Sequence, residues 1–322
     1  MLTSTGDQPP GRLLDLLILG GGPAGMTAGI YAGRARLSCL VLDPLGGGGE
    51  LNIMDIIENY PGLREPTTGP DLAELMRKQM ESFGVSVVYD QAESITADEH
   101  RVVVRGGLDV YTAKILLLAT GCSHRELGVP GEQKLRGHGV SYCATCDGAF
   151  FKGKHVAVVG GGDTAVKEAL FLSRLVGQVT LVHRREHLRA EKIMQESLAA
   201  APNVDYALNS VVEEILGERE VTGLRLKSVT SGDTQTMPMS GVFVFIGVNP
   251  NSEMVRGLVE CDNAGFVKTD QRLRTSHPRI FAAGDVRSET VHQVAGAVGD
   301  GAAAAIRIQE LLDVYNPPKI VT

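Results

Sequence analysis

The chain has 322 residues, 43% of them hydrophobic and 21% charged, with a net charge of −7. That length suits two ordinary domains, and the composition is that of a globular chain, neither disordered nor membrane-like. The acidic balance argues against broad binding to nucleic acid or anionic membranes, and no apolar run reaches the roughly 18 residues of a membrane helix. Met1 to Arg12 is polar and lacks the basic start and apolar stretch of a secretory leader, so a cytoplasmic protein is expected. Glycine is frequent, at 39 residues, without a collagen period, which in an α/β chain means many tight strand-to-helix turns. Five cysteines do not make a disulfide framework, and the isolated Cys39, Cys122 and Cys261 read as ordinary small residues.

Leu13 to Leu19 is an almost continuously apolar run ending at Gly20, as in a buried parallel strand followed by a glycine turn. Met26 to Ala35 reads as a helix, Ser38 to Leu42 as a second strand, and Asp43 sits at its end. This is a βαβ dinucleotide fingerprint. Gly20 makes the turn, Gly22 lets the backbone approach a pyrophosphate, Gly25 allows close helix–strand packing, and Asp43 can accept from a ribose hydroxyl. Gly46 to Gly49 is either a flexible loop or backbone passing close to a ligand. Thr67 to Phe83 reads as an amphipathic helix with Leu72, Leu75, Met76 and Met80 as its apolar stripe. Val85 to Tyr89, Arg101 to Arg105 and Val110 to Ala113 suggest an antiparallel ribbon, and Ile115 to Ala119 another buried strand. Ser123 to His138, rich in glycine, proline and charge, reads as a crossover.

A second fingerprint follows. His155 to Val159 is a strand, then come Gly160, Gly162 and Ala165, a helix to about Val176, and a strand over Val179 to Val182. No acid follows it; His183, Arg184 and Arg185 do, with Arg189 four residues later. Guanidinium groups there suit the 2′-phosphate of NADP rather than the ribose hydroxyl of NAD. Val204 to Leu208, two or three ribbon strands and an apolar strand over Gly241 to Gly247 complete this unit. Asn249-Pro250-Asn251 reads as a second crossover, Ile280 to Ala283 as a strand ending in Gly284-Asp285, and Val291 to Val314 as a long helix. Two units of like order form an internal duplication. The economical arrangement is an α/β fold of two Rossmann-like, three-layer ββα dinucleotide-binding domains, the second inserted into the first. The domains are expected at 1–125 with 252–322, and at 126–251.

Between the fingerprints lies Ser141-Tyr142-Cys143-Ala144-Thr145-Cys146-Asp147. A Cys-x-x-Cys can close a disulfide ring, hold half of a metal site, or be two buried thiols. No second Cys-x-x-Cys or His pair stands at ligand spacing, which disfavours zinc and leaves no metal expected. Hydride does not pass directly from nicotinamide to sulfur, whereas a flavin takes the hydride and delivers the electron pair to a disulfide. Two dinucleotide folds and a Cys-x-x-Cys are the parts of such a relay.

On these motifs, together with Glu58-Asn59-Tyr60-Pro61-Gly62, Ala119-Thr120-Gly121 and Ala283-Gly284-Asp285, the whole chain resembles the low-molecular-weight thioredoxin reductases of bacteria. The resemblance implies FAD in the first domain and NADPH in the inserted one. It implies that Cys146 faces the flavin and forms an adduct at C4a, that Cys143 is the interchange thiol attacking thioredoxin, and that Asp147 shuttles the proton. FAD would lie along Gly20, Gly22, Pro23, Ala24, Gly25 and Asp43, then Gly49, Glu50, Leu51 and Asn59. Ala119, Thr120 and Gly121 would follow, with Asp285 on the ribityl chain beside Gly284, and His292, Gln293 and Val294 leading the helix that faces the flavin. NADPH would take Gly160, Gly162, Asp163, Thr164, Ala165, His183, Arg184, Arg185 and Arg189. The inserted domain would rotate between half-reactions about hinges near Ser123–Leu127 and Asn249–Ser252, in a homodimer. Two departures stand out: Glu50 where many relatives have glutamine, and His292 where many have arginine, replacing a fixed cation with a group that can be neutral at pH 7. The alternatives are a reductase of another thioredoxin-like carrier, whose known forms carry an extra N-terminal redox domain; a ferredoxin-fed or oxygen-using relative, which would lack the cluster kept at Arg184, Arg185 and Arg189; and a flavin-binding redox sensor, against which an intact NADPH site speaks.

Overall fold

A computed structural model describes residues 13–54 and 57–315. The reading of Met1 to Arg12 lies outside the described residues. The chain divides into two compact units, His124–Val248 and the remainder up to Ser123 and from Asn249 onward, against expected boundaries at 125/126 and 251/252. On the side of the first unit, Asn251 N donates to Gly121 O at 3.0 Å, Asn251 Nδ2 to Thr120 O at 2.8 Å, and Thr120 Oγ1 to Asn251 O at 2.7 Å. On the side of the second, Arg125 N donates to Gly247 O at 2.9 Å.

The first unit is built on a parallel sheet in the order Val87–Val88, Cys39–Leu42, Leu13–Leu19, Val110–Leu118. Its apolar runs alternate between two cores, as strands buried on both faces must. Leu16 and Ile18 face a helical layer with Met26, Met80, Ile308 and Leu312, while Leu17 and Leu19 face Val102, Val104, Val267 and Val286. Each such fully buried side chain contributes about 1.5–3 kcal/mol. The helix Val294–Tyr315 crosses Pro23–Arg34 closely, because a Cβ at Gly301 would stand 2.2 Å from Ala24 O.

Val110–Leu118 is one strand, not the two expected. Its first half pairs antiparallel with Val102–Gly106 and its second half parallel with Ile280–Ala282, so it joins ribbon to sheet. Lys114 does not interrupt it, because Nζ bonds Asp15 Oδ1 at 2.7 Å. The ribbon also contains Ala92–Ala97, which the sequence reading missed, while Val87–Val88 belongs to the parallel sheet. Of Ala92–Ala97 only Ile95 is buried, so no alternating signal marks it. The amphipathic helix spans Gly69–Ser82, capped by Thr68 Oγ1, which accepts from Asp71 N at 3.1 Å. Leu75 is 59% exposed and is not part of the stripe. At about 100° per residue, Leu72, Ala73, Met76 and Met80 share one face and Leu75 falls well to its side.

The second unit repeats the plan. A parallel sheet runs Val204–Ala207, Gln178–Val182, His155–Val159, Gly241–Val244, Val140–Ser141, with a ribbon of Ser210–Leu216, Gly223–Ser228 and Thr234–Pro238. The helices Asp163–Ser173 and Lys192–Ala199 cover one face. Val140–Ser141 places Cys143 just past the end of a sheet strand. Among the described residues no helix is long and apolar enough to cross a membrane.

Candidate active site: two glycine cradles and a disulfide

In the first unit, Gly20 has φ +99°, and a Cβ there would meet Ala119 O at 2.3 Å; one on Gly25 would meet Gly20 O at 1.9 Å. The protein itself therefore requires both glycines. Gly22 is different. Its backbone is extended, with φ −72° and ψ −175°, and a Cβ there would meet nothing within 4 Å. Neither strain nor packing within the protein calls for a glycine there, and the turn above it is open. Gly22 caps the helix Pro23–Arg34 without a side-chain acceptor, which leaves the first-turn amides of Ala24 and Gly25 for an anion.

Asp43, buried at the end of the second strand, accepts from Gly21 N at 2.7 Å and Leu45 N at 2.8 Å. Its first task is thus to fasten the turn, and a ribose hydroxyl would share an occupied carboxylate. Gly46, Gly47, Gly48 and Gly49 all take left-handed φ, at 82°, 97°, 99° and 55°. An L-residue pays roughly 1–2 kcal/mol for that conformation, so the run specifies a shape. Gly48 N donates to Gly21 O at 2.8 Å, and a Cβ on Gly49 would stand 3.2 Å from Gly22 Cα. The run is a wall of the Gly22 cradle. Glu50 is exposed in the short helix Gly49–Ile53, while the Leu51 side chain is wholly buried in the core, so only its backbone can face a ligand.

The rest of this site comes from distant segments. Asn59 Nδ2 donates to Gln293 Oε1 at 3.3 Å. Gly121 has φ +65° and Gly284 φ +73°; Gly284 packs on Ala24 and donates its N–H to Asp300 Oδ2 at 3.0 Å. Val294 begins the long helix. His292, at φ +48°, directs Nδ1 to within 3.8 Å of Asp285 Oδ2 and 3.4 Å of Cys122 Sγ, with the Phe266 ring edge-on at 6.1 Å. Burial raises the Asp285 carboxyl and the adjacent His292 opposes it. Burial, then Asp285 and Glu50, push the Cys122 thiol up to about 12, so it remains a thiol. The sequence reading missed Cys122 and Asp300. Cys122 had a local signal, since it directly follows Ala119-Thr120-Gly121; Asp300 had none.

The second cradle has the same logic. A Cβ on Gly160 would meet Phe245 O at 2.4 Å and one on Gly161 the His183 ring at 2.3 Å, whereas one on Gly162 would meet nothing within 4 Å. Gly162 too is extended, at φ −95° and ψ −178°, at the cap of Asp163–Ser173, the helix that carries Thr164 and Ala165. Asp163 Oδ1 accepts from Glu191 N at 2.8 Å, and Arg189 N donates to Gly161 O at 2.7 Å, so the arginine loop is laced to the glycine turn. Arg184, Arg185 and Arg189 are exposed. His183 is 6% exposed and its buried Nε2 has no hydrogen-bond partner. Burial, then Arg189 and Arg185, lower its pKa and keep it neutral. The His183 ring lies against Gly161, close enough that the turn admits no side chain there, and the charges of Arg189, Arg185 and Arg184 all act on it.

In the same unit Cys143 and Cys146 are joined as a disulfide. Cys143 occupies the cap of the helix Ala144–Asp147, which carries Asp147; its N–H donates to Ser141 Oγ at 3.0 Å, and Ser141 Oγ donates to Cys143 O at 3.2 Å. Behind it, Tyr142 stacks on His124 with centroids 5.0 Å apart and lies under the Arg136 guanidinium at 5.0 Å. Tyr142 OH donates to Glu132 Oε1 at 2.8 Å. Glu132, 1% exposed, also accepts from Leu127 N at 2.8 Å and Gly128 N at 2.7 Å. A buried carboxylate with three donors makes a rigid mount, here tying the residue before Cys143 to the chain entering the unit.

The sequence profile of the pyridine nucleotide-disulphide oxidoreductases matches residues 14–301. The thioredoxin reductase of Treponema pallidum is 43% identical over 305 residues, covering 94% of this chain and 98% of its own, and that of Mycolicibacterium smegmatis is 44% identical over 299, covering 92% and 96%. The chain belongs to the thioredoxin reductase family. Among solved structures, the family member from Streptococcus pyogenes MGAS5005 superposes with a TM-score of 0.90 at 42% identity, covering 94% of this chain and 99% of that one. Thioredoxin reductases are pyridine nucleotide-disulphide oxidoreductases, and membership implies a flavin and a nicotinamide nucleotide. Each unit has one glycine turn, at Gly22 and at Gly162, whose helix cap has no side-chain acceptor.

Proposed function

We propose that this chain is an NADPH-dependent thioredoxin-disulfide reductase, with FAD on the first cradle and NADPH on the second. The observation that carries the reading is the Cys143–Cys146 disulfide, mounted in the same unit as a nucleotide cradle whose 2′-phosphate end is lined by arginines. Bound together, the two cofactors supply two-electron transfer from a hydride donor to sulfur. The chain's own groups do the rest. Gly20 to Gly25 and the left-handed glycine run hold the flavin pyrophosphate, and Asp285 holds the ribityl chain. Arg184, Arg185 and Arg189 select the 2′-phosphate, and His183, packed against Gly161, supports the turn beneath them. Cys143 attacks thioredoxin, Cys146 faces the flavin, and Asp147 gives and takes the proton the dithiol needs. The two crossings serve as hinges between half-reactions, and the molecule is a cytoplasmic homodimer.

His292 supplies one test. His292→Arg fixes a positive charge beside Asp285, which favours the reduced, anionic flavin. An interaction of about 1 kcal/mol raises the midpoint of a two-electron couple by roughly 20 mV. Redox titration of both proteins across neutral pH should show that rise and a changed pH profile; superimposable titrations and pH–rate curves contradict the role given to His292. The function itself is tested by supplying NADPH and thioredoxin and following dithiol formation.

A further inference from the structure

Two hydrogen-bond donors converge on one sulfur of the disulfide. The backbone N–H of Cys146 points at Cys143 Sγ at 3.2 Å, and Thr145 Oγ1 lies 3.4 Å from the same atom. A disulfide sulfur carries no hydrogen, so in this state the threonine hydroxyl is the donor. The Cys143 backbone is itself fixed, through its N–H and its carbonyl, by the buried Ser141 hydroxyl. Sulfur, hydroxyl and amide are therefore held together by a short, tightly bonded segment.

We infer that Thr145 is a further catalytic residue: with the Cys146 amide it forms a two-donor seat for negative charge on Cys143. The inference deepens the proposed disulfide reductase and rests on that reading. Two-electron reduction, with the reduced flavin as donor, breaks the S–S bond and expels Cys143 as a thiolate, so charge develops on the atom the two donors face. In the exchange step the Cys143 thiolate attacks one sulfur of the partner's disulfide, whose other sulfur leaves as a thiolate and takes a proton. Cys146, as thiolate, then attacks Cys143 in the mixed disulfide. The Cys143–Cys146 bond reforms, the partner's second sulfur leaves and is protonated, and the electron pair ends in the partner's dithiol. Cys143 bears charge as leaving group in the first half and as nucleophile in the second. A donor to its sulfur lowers its thiol pKa and raises the thiolate fraction at neutral pH.

The seat is tested on a Cys146→Ser background, where the residue-146 amide remains and Cys143 no longer has its partner. The rate of Cys143 alkylation by iodoacetamide is followed against pH by peptide mass, with Thr145→Val as the isosteric loss of the hydroxyl and Thr145→Ser as its retention. Loss of one hydrogen bond to a charged sulfur should shift the midpoint upward by about one pH unit and slow alkylation below it about tenfold; Thr145→Ser should keep the original midpoint. Coincident midpoints for threonine and valine overturn the inference, as does a serine profile that follows valine. The assay uses neither NADPH nor thioredoxin. The proposed reductase activity can therefore fail while the seat stands, and the seat can fail while the activity stands.

Discussion

Replacing Cys146 by serine is expected to lower NADPH-driven thioredoxin reduction by roughly 10⁴-fold or more, the scale on which loss of an essential nucleophile acts. Cys143→Ser is expected to do the same. A serine oxygen forms no bond to sulfur that the electron pair can later break, so the relay loses its last carrier in either variant. Reduction of the bound flavin by NADPH, followed by its bleaching in a stopped-flow instrument, should persist in both, because the two cradles lie outside the Cys143–Cys146 ring. The variants should nevertheless differ. Cys146→Ser leaves the seated Cys143 able to attack thioredoxin and unable to resolve the product, so a stable mixed disulfide accumulates. Cys143→Ser leaves no interchange thiol and traps nothing. Trapping by the other variant would reverse the roles given to the two cysteines, and sustained turnover in either would remove the disulfide from the route.

The second large effect concerns cofactor choice. Arg184→Ala combined with Arg185→Ala is expected to raise the KM for NADPH about 100-fold or more while leaving that for NADH within about twofold. Each guanidinium–phosphate hydrogen bond contributes about 1.5–3 kcal/mol, and every 1.4 kcal/mol is about tenfold. Both arginines are exposed, so the fold should tolerate their loss. His183, by contrast, packs against Gly161, where its replacement would disturb the turn itself. Equal losses with NADPH and NADH would place the arginines outside the 2′-phosphate site.

The two fingerprints were legible because strand, glycine turn and helix follow one another directly in the chain, although the atoms that crowd Gly20 and Gly160 come from Ala119 and Phe245. Gly20, Gly25 and Gly160 are forced by atoms close to them in the fold, and the strand–turn–helix order announces them. The paired thiols were equally visible, whereas the donors on Cys143 Sγ were not. Spacing says that Thr145 is near and does not say which sulfur it faces. The run Gly46 to Gly49 could be read in two ways until its four left-handed residues showed a fixed wall. Ala92–Ala97 was invisible because its pairing, not its burial, makes it a strand. Leu75 was misplaced by counting a stripe without its angular width. The segment read as a plain crossover conceals Glu132, a buried carboxylate whose partners are backbone amides and a tyrosine hydroxyl. Cys122 meets His292 across 170 residues of chain and Asp300 accepts from Gly284 N across 16, which no motif records.

A two-electron route from NADPH through FAD and Cys143–Cys146 to thioredoxin fixes the stoichiometry of the reaction. Purified protein should be mixed with NADPH and several thioredoxins, and both NADPH loss and thioredoxin dithiol formation followed to completion. One dithiol should form per NADPH consumed with at least one thioredoxin, and NADH should react far more slowly. NADPH consumption without dithiol formation, or no consumption with any thioredoxin, would contradict that route.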